Sequence, residues 1–319
     1  MFFGTPDFAV ESLKRLVDGG YNVVAVVTMP DKPAGRGRQL QQSDVKRFAV
    51  ERGLPVLQPT SLKDEAFLAE LKSLEAQLFI VIAFRMLPEA VWQMPPLGTF
   101  NLHASLLPRY RGAAPINWAV MNGDTETGVT TFFLKHEIDT GDVIQQRSCP
   151  IGRHDDVEVV HDRLMVMGAD MVIETVDAII KGTVTPIPQE QMLTSGQQPT
   201  PAPKIFKETC QIDWSRPAEV LYNHIRGLSP YPAAWTILVN ENDTELTTLK
   251  IFRTGEPEPF SADARPAPGT ILADRKTLRV AAADGWLDVL SLQQSGKKRM
   301  DTDAFLRGYT IPEGGHCKY

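Results

Sequence analysis

The amino-acid sequence predicts an α/β chain in two parts: a doubly wound parallel sheet first, then a smaller unit of short strands, a barrel or sandwich. Three observations carry this. Apolar strand patterns alternate with helical stripes as far as about residue 181. A Pro-rich stretch with hardly any apolar periodicity then interrupts the chain. Beyond it, short strand patterns follow one another closely.

The first strand, Met1-Phe2-Phe3, turns at Gly4-Thr5-Pro6-Asp7-Phe8 into a helix, with Thr5 expected as its cap and Pro6 at its first position. A sheet strand usually has about five residues, so the natural chain is expected to begin slightly upstream. Ala9, Leu13, Leu16 and Val17 form the helical stripe, and Tyr21 to Thr28 reads as the second strand. Two prolines, two glycines and three cations (Lys32, Arg36 and Arg38) then make Pro30 to Arg38 a basic loop. Its glycines lack the G-x-G-x-x-G spacing of a dinucleotide site. A mobile cationic loop at strand ends suits a phosphate backbone.

Helical and strand patterns continue through Val45 to Arg52, Leu54 to Leu57 and Glu65 to Leu74. The run Leu78-Phe79-Ile80-Val81-Ile82-Ala83 is apolar on both faces, as a central parallel strand requires. It exits into Phe84-Arg85-Met86-Leu87-Pro88, where an open α/β sheet collects ligands. Thr99 to His103 is the next strand, and its alternation sets Asn101 and His103 on one face. The chain then leaves through Ala104-Ser105-Leu106-Leu107-Pro108-Arg109-Tyr110-Arg111-Gly112. Ile116 to Met121 reads as a helix, Gly128 to Leu134 as a strand, and Asp139-Thr140-Gly141-Asp142 as a turn. A long helix covers Asp156 to Lys181.

The expected division is 1–183, a linker over 184–203, and 204–319. In the last part Ile212-Asp213-Trp214-Ser215 precedes a helix over Ala218 to Leu228 that is expected to be capped. Five short strands follow, from Ala234 to Leu292, and then the cations Lys297, Lys298 and Arg299.

Composition narrows the classes. With 43% hydrophobic and 23% charged residues, the chain is expected to be soluble. No basic leader with a long apolar core and no run of about eighteen apolar residues is present, so neither secretion nor membrane spanning is expected. Cys149, Cys210 and Cys317 have no paired spacing, against a disulfide framework or a zinc site. A reducing cytoplasm is expected. Net charge is -6, yet residues 204–319 carry 15 Lys and Arg against 15 Asp and Glu, while 1–203 carry 18 against 24. A polyanion site must therefore be a local basic cluster.

Taken in order, Gly4-Thr5-Pro6-Asp7-Phe8, the Pro30 to Arg38 loop, Asn101-Leu102-His103 with Ser105 to Ile116, and Asp139-Thr140-Gly141-Asp142 resemble the methionyl-tRNA formyltransferase branch of the folate-dependent formyltransferases. The likeness continues in Ile212-Asp213-Trp214, Ile225-Arg226-Gly227, Pro230 to Trp235, Leu290 to Gln293 and Gly296-Lys297-Lys298. It implies a Rossmann-like formyltransferase domain followed by an OB-like barrel that binds tRNA. The implied reaction moves a formyl group from 10-formyltetrahydrofolate to the α-amino group of methionine on initiator tRNA, in a monomer without metal or covalent intermediate.

By the same resemblance Asn101 donates to the developing oxyanion, His103 moves protons, and Asp139 favours the imidazolium and orients the ring. Phe84, Arg85, Met86 and Leu87, in a segment one residue shorter than in many relatives, would line the folate pocket with Ser105, Leu106, Leu107 and Pro108. Lys32, Arg36 and Arg38, with Lys297, Lys298 and Arg299, would meet tRNA, and Arg109 and Arg111 would extend that surface. Two other readings remain open at this point: a formyltransferase for a small amine such as an amino sugar nucleotide, and a non-catalytic RNA-binding protein. The first would not need the Arg36 loop or the extra domain, and the second leaves Asn101, His103 and Asp139 unexplained.

Overall fold

The computed structural model describes residues 1–34, 39–193, 196, 198–261 and 265–318. Arg36 and Arg38 lie outside the described residues. The first compact unit comprises Met1–Pro115, Thr127–Pro150 and His161–Ala202, and the second Ile116–Glu126, Ile151–Val160 and Pro203–Tyr319. The second unit thus draws two segments from the part expected to be a single N-terminal domain.

In the first unit, seven strands form one sheet: β1 (Phe2–Gly4), β2 (Val26–Val27), β3 (Val56–Leu57), β4 (Phe79–Ile82), β5 (Thr99–His103), β6 (Glu126–Phe133) and β7 (Val143–Pro150), in the order β7-β6-β5-β4-β1-β2-β3. Strands β1 to β5 are mutually parallel, whereas β6 runs antiparallel to β5. All four residues of β4 are buried, which explains its unbroken apolar run. The chain moves outward from β1 through β2 to β3, then returns to β4 on the other side of β1. That reversal puts the switch point of the sheet between β1 and β4, where the carboxyl ends leave a crevice.

Helices α1 (Asp7–Asp18), α2 (Asp44–Glu51), α3 (Glu65–Ser73) and α4 (Glu89–Trp92) connect these strands. Two of them carry side-chain caps: Ser43 caps α2 by accepting from Lys46 N at 3.1 Å, and Asp64 caps α3 by accepting from Phe67 N at 2.9 Å. The start of α1 differs. Pro6 takes the cap position in an extended conformation, and the Thr5 hydroxyl is buried without a hydrogen-bond partner. Asp7 accepts from Phe8 N at 2.8 Å instead. The second strand is also shorter than expected, because only Val26 and Val27 pair with neighbours on both sides.

Helix α5 (Pro115–Met121) precedes β6, and α6 (Val157–Ile180) follows β7. Along α6, Gly168 lies so close to the sheet that a Cβ there would sit 2.7 Å from Leu102 Cδ2. Thr175 and Thr131 join their hydroxyls at 2.9 Å under the same cover.

Within 184–203, expected as a linker on composition, the described residues as far as Ala202 belong to the first unit. Ile187 pairs with Val143, Pro201–Ala202 pairs in parallel with Arg111–Gly112, and Gln189 is fully buried. Prolines supply pre-extended backbone here, and its carbonyl and amide groups find partners on the unit itself.

In the second unit an eight-stranded antiparallel sheet includes β8 (Ala234–Val239), β9 (Glu245–Thr254), β10 (Ile271–Ala273), β11 (Leu278–Ala281), β12 (Gly285–Gln294) and β13 (His316–Lys318), in the order β10-β11-β12-β9-β8-β13. A bridge between Thr270 and His316 brings its two edges together, so the sheet is a nearly closed, OB-like barrel. Helix α7 (Ala218–Leu228) covers the core, where Trp214, Leu221, Ile225, Leu249, Val280, Leu287 and Leu292 are buried beside Phe305 of α8 (Thr302–Gly308). The start of α7 is capped from a distance: Ala218 N donates to Asp284 Oδ1 at 2.8 Å, while Asp213 turns back to Ser215. No helix among the described residues is long and apolar enough to cross a membrane.

One group in this core carries a pH dependence. His224 on α7 has its Nε2 buried without a partner, and burial, helped by the charge of Arg216, lowers its pKa from 6.5 to about 4. The folded protein thus keeps the ring neutral where the unfolded chain would protonate it. Its contribution is complete above pH 6.5 and is lost as pH falls toward 4, by at most about 1.4 kcal/mol per pH unit. Urea midpoints measured across that window should flatten in His224→Gln; an unchanged slope would exclude this histidine as the source.

Candidate active site

The carboxyl end of β5 brings the first two residues to the crevice. Asn101 is paired in register with Val81 of β4 and Phe132 of β6, and His103 with Thr130 of β6. They are two positions apart, so both side chains lie on one face of the sheet, as the alternation predicts. Asn101 is half-buried, and among the described residues its carboxamide makes no hydrogen bond. An amide left free at a strand end keeps its N–H groups for an incoming oxygen.

His103 is 7% exposed and has both ring nitrogens directed at protein acceptors. Its Nε2 is 2.8 Å from the Tyr110 carbonyl. A carbonyl can only accept, so that nitrogen carries the hydrogen. The other, Nδ1, faces Asp139 Oδ2 at 3.8 Å, near but outside hydrogen-bond length. Edge-on packing against Phe132 holds the plane of the ring.

Asp139 comes from the loop between β6 and β7. Its side chain is 11% exposed, and Oδ2 accepts from Gly112 N at 2.9 Å. The residue has φ 54°, a left-handed conformation that Asp tolerates better than most residues. Two residues on, Gly141 lies so tightly against β6 that a Cβ would fall 1.5 Å from the Phe133 carbonyl oxygen. The approach that brings Asp139 towards His103 thus depends on glycine at 141.

The loop after β5 is pinned from beneath. Thr130 Oγ1 donates to Ser105 O at 2.6 Å and accepts from Leu107 N at 3.2 Å, while Gln146 Nε2 donates to Leu107 O at 2.9 Å. The Ser105 hydroxyl donates to Arg109 O at 2.6 Å. Ser105, Leu107 and Pro108 are buried and Leu106 is half-buried. Leu107 packs against Phe132 and Val143. The side chains of Ser105 and Leu107 thus hold the loop together, and what they can offer a pocket is backbone.

At the exit of β4, Ala83 has φ 47° and turns the chain sharply. Phe84 packs against Phe3 with ring centroids 5.8 Å apart, and Leu87 is buried in the core with Val91. Met86 is 71% exposed. Arg85 donates from Nη1 to Thr60 O at 3.0 Å, its Nε is buried without a partner, and burial pulls the guanidinium below its ordinary value. Of the four residues expected at this exit, Leu87 is buried in the core and Phe84 packs half-buried against it. Period-based reasoning could not find this, because the exit is not a strand.

The cations divide. Lys32, Lys297, Lys298 and Arg299 are exposed. Beneath Lys32 the neighbouring Asp31 is held by Lys46 Nζ at 2.6 Å and Gln58 Nε2 at 2.8 Å, which keeps its carboxyl below the usual range. Arg299 stacks on Phe252 and donates to Ser291 Oγ at 3.0 Å, so its position is more constrained than that of the two lysines. Arg111, expected to extend a polyanion surface, is half-buried and turned to a glutamine. Its Nε and Nη2 both donate to Gln189 Oε1, at 3.0 and 2.7 Å.

Gln189 itself had no signal in the sequence. It stands alone between prolines and polar residues, and only the folded chain shows that it is buried beside Asp139.

Comparison with known proteins covers nearly the whole chain. A family pattern described as "Formyl transferase" matches residues 1–176, and one described as "Formyl transferase, C-terminal domain" matches 204–310. A protein of Bacteroides fragilis named methionyl-tRNA formyltransferase is 62% identical over 319 residues, covering 100% of this chain and 97% of its own. Another of that name, from Bacteroides thetaiotaomicron, is 60% identical over 315 residues, 98% of this chain and 96% of its own. Among solved structures, WlaRD, a sugar 3N-formyl transferase crystallised in the presence of dTDP and 5-N-formyl-THF, superposes with a TM-score of 0.64. It covers 93% of this chain and 97% of its own at 17% identity, a likeness of fold.

Proposed function

The chain belongs to the formyl transferase family, and from that membership we propose that it transfers a formyl group from 10-formyltetrahydrofolate to the α-amino group of methionine carried on initiator tRNA. The observation that carries the reading is the grouping of Asn101, His103 and Asp139 at the carboxyl ends of the sheet, in a chain about 60% identical throughout its length to proteins named for that reaction. A small-amine acceptor is not favoured, since identity to the tRNA enzymes runs through both family regions.

The reaction forms a bond between the amine nitrogen and the formyl carbon and breaks the bond from that carbon to the folate nitrogen. A proton lost by the amine ends on the folate nitrogen. Asn101 supplies an amide N–H to the formyl oxygen as negative charge builds there, a contact whose loss in comparable sites costs about 2.7–4 kcal/mol. His103 carries the proton. Its Nε2–H is donated to Tyr110 O, which fixes the ring at the carboxyl end of β5. Asp139 faces the opposite nitrogen and keeps the ring in one orientation.

The folate fits the exit of β4 by the apolar faces of Phe84 and Met86, and the unpartnered Nε of Arg85 marks polar capacity in the same segment. Leu87, Ser105, Leu106, Leu107 and Pro108 would shape that pocket largely through their backbone. Lys32, Lys297 and Lys298, exposed and on loops or hairpins, suit phosphate contact, and Arg36, Arg38 and Arg299 are assigned to it with them.

Purified protein is expected to formylate methionyl-initiator tRNA with 10-formyltetrahydrofolate and to ignore amino sugar nucleotides. Formylation of the sugar at comparable efficiency, with the tRNA untouched, would overturn the substrate assignment.

A further inference from the structure

We propose that Gln189 is a positioning residue for the His103–Asp139 pair, acting from a segment that composition alone assigns to a linker. The inference rests on the formyl transfer reading for its kinetic test and on geometry for the rest.

Gln189 is wholly inaccessible to solvent, and its carboxamide makes four hydrogen bonds. Nε2 donates to the carbonyls of Asp139 and Gly141, at 2.9 and 2.8 Å, and Oε1 accepts both Arg111 contacts. Its donor and acceptor capacities are thus used on two different loops. The loop from β6 supplies Asp139, and the loop from β5 supplies Arg111.

These contacts close a ring. From Arg111 the chain passes to Gly112, whose N–H donates to Asp139 Oδ2, and Asp139's own carbonyl returns to Gln189. On the other side of Arg111 is Tyr110, whose carbonyl holds His103 Nε2. One amide therefore fixes the loop that carries the acceptor on Nε2 and the backbone of the carboxylate facing Nδ1. The two left-handed residues with side chains in the ring, Tyr110 at φ 60° and Asp139 at φ 54°, require such outside restraint.

A glutamine at this place does what a purely apolar filler cannot. Two carbonyls facing a buried space need donors, and a guanidinium needs an acceptor. Glutamate would retain the acceptor for Arg111 but face the Asp139 and Gly141 carbonyls without an N–H, turning two attractions into repulsions. Gln189→Glu thus alters the ring with almost no change in volume.

The test uses the full chain. In Gln189→Glu, kcat for methionyl-tRNA formylation is expected to fall about 10- to 100-fold, the range for reacting groups displaced by up to about 1 Å. KM for the tRNA should stay within about twofold of wild type. Arg111→Lys, which keeps the charge but loses the two-pronged contact, should show the same split between kcat and KM, and it serves if the glutamate variant does not fold. Independently of activity, the imidazole 15N resonances of His103 in the free protein should move in both variants, while those of the exposed His154 should not. Unchanged His103 resonances, with kcat within twofold, would overturn the positioning role. An equal rise in KM with intact kcat would also overturn it, since that assigns the segment to tRNA binding. If wild-type protein formylates no methionyl-tRNA, the functional reading fails, and the resonance arm still decides the role of Gln189.

Discussion

His103→Ala is expected to lose about 10²- to 10⁴-fold in kcat, the range contributed by a placed proton-transfer group, while tRNA binding is retained. The substitution removes the titratable ring that faces Asp139 and the donor to the Tyr110 carbonyl. Single-turnover formylation under saturating folate separates the chemical step from binding, and filter binding of the charged tRNA gives the second readout. Asp139→Asn should lose less, because an amide oxygen can still accept from Gly112 N and hold the loop, whereas the charge opposite Nδ1 is gone. A His103→Ala protein within a few-fold of wild type would end the assignment. So would one that fails only in binding tRNA, since it would move this histidine from chemistry to recognition.

Gly141→Ala is expected to damage both the fold and the rate. A methyl group 1.5 Å from the Phe133 oxygen and 3.0 Å from Phe132 Cδ2 cannot be accommodated, so the turn must lift away from β6. Overpacking of this kind costs about 1–3 kcal/mol. The same displacement carries Asp139 off Gly112 N and away from His103, for which about a hundredfold in kcat is expected. The matched control is Gly308→Ala at the end of α8, where nothing lies within 4 Å of the added carbon. That variant should stay within about 1 kcal/mol of wild type and keep full activity. Urea midpoints and kcat for the pair decide the matter. Equal behaviour of the two alanines would show that the turn is pliable and that its closeness to β6 has no catalytic meaning.

Much of the first sheet was legible because its signals are local. The apolar run from Leu78 to Ala83 could be buried on both sides only, and the period of two in Thr99 to His103 set Asn101 and His103 together. What alternation reports is a face. It does not report which loop will close over that face, and Asp139, more than thirty residues on, came into view only through the resemblance. The helix starts follow the same rule. The cap expected of Thr5 falls to Pro6, with the Thr5 hydroxyl left buried, and α7 is capped by Asp284 from a distant hairpin, which no local pattern reports. Arg111 shows what local patterns leave out: an arginine near a basic loop reads as a phosphate ligand, and its bonds to a buried amide appear only in the fold. In the Pro-rich stretch the described contacts run through backbone pairing and one glutamine, and neither leaves a trace in apolar periodicity.

The barrel's debt to residues from far upstream bears on how such a gene can be cut. Met121 is part of its core, and a Cβ on Gly227 would lie 2.5 Å from Met121 Cγ. Asn117 Nδ2 donates to Gly227 O at 2.8 Å, and the buried Arg226 donates to Asp155 O at 2.7 Å. A fragment beginning at the apparent boundary near residue 203 would leave behind the groups that fill and satisfy that side of α7. Recombination at that boundary would exchange a barrel with an opened core, so a viable chimaera must carry 116–126 and 151–160 along with 203–319.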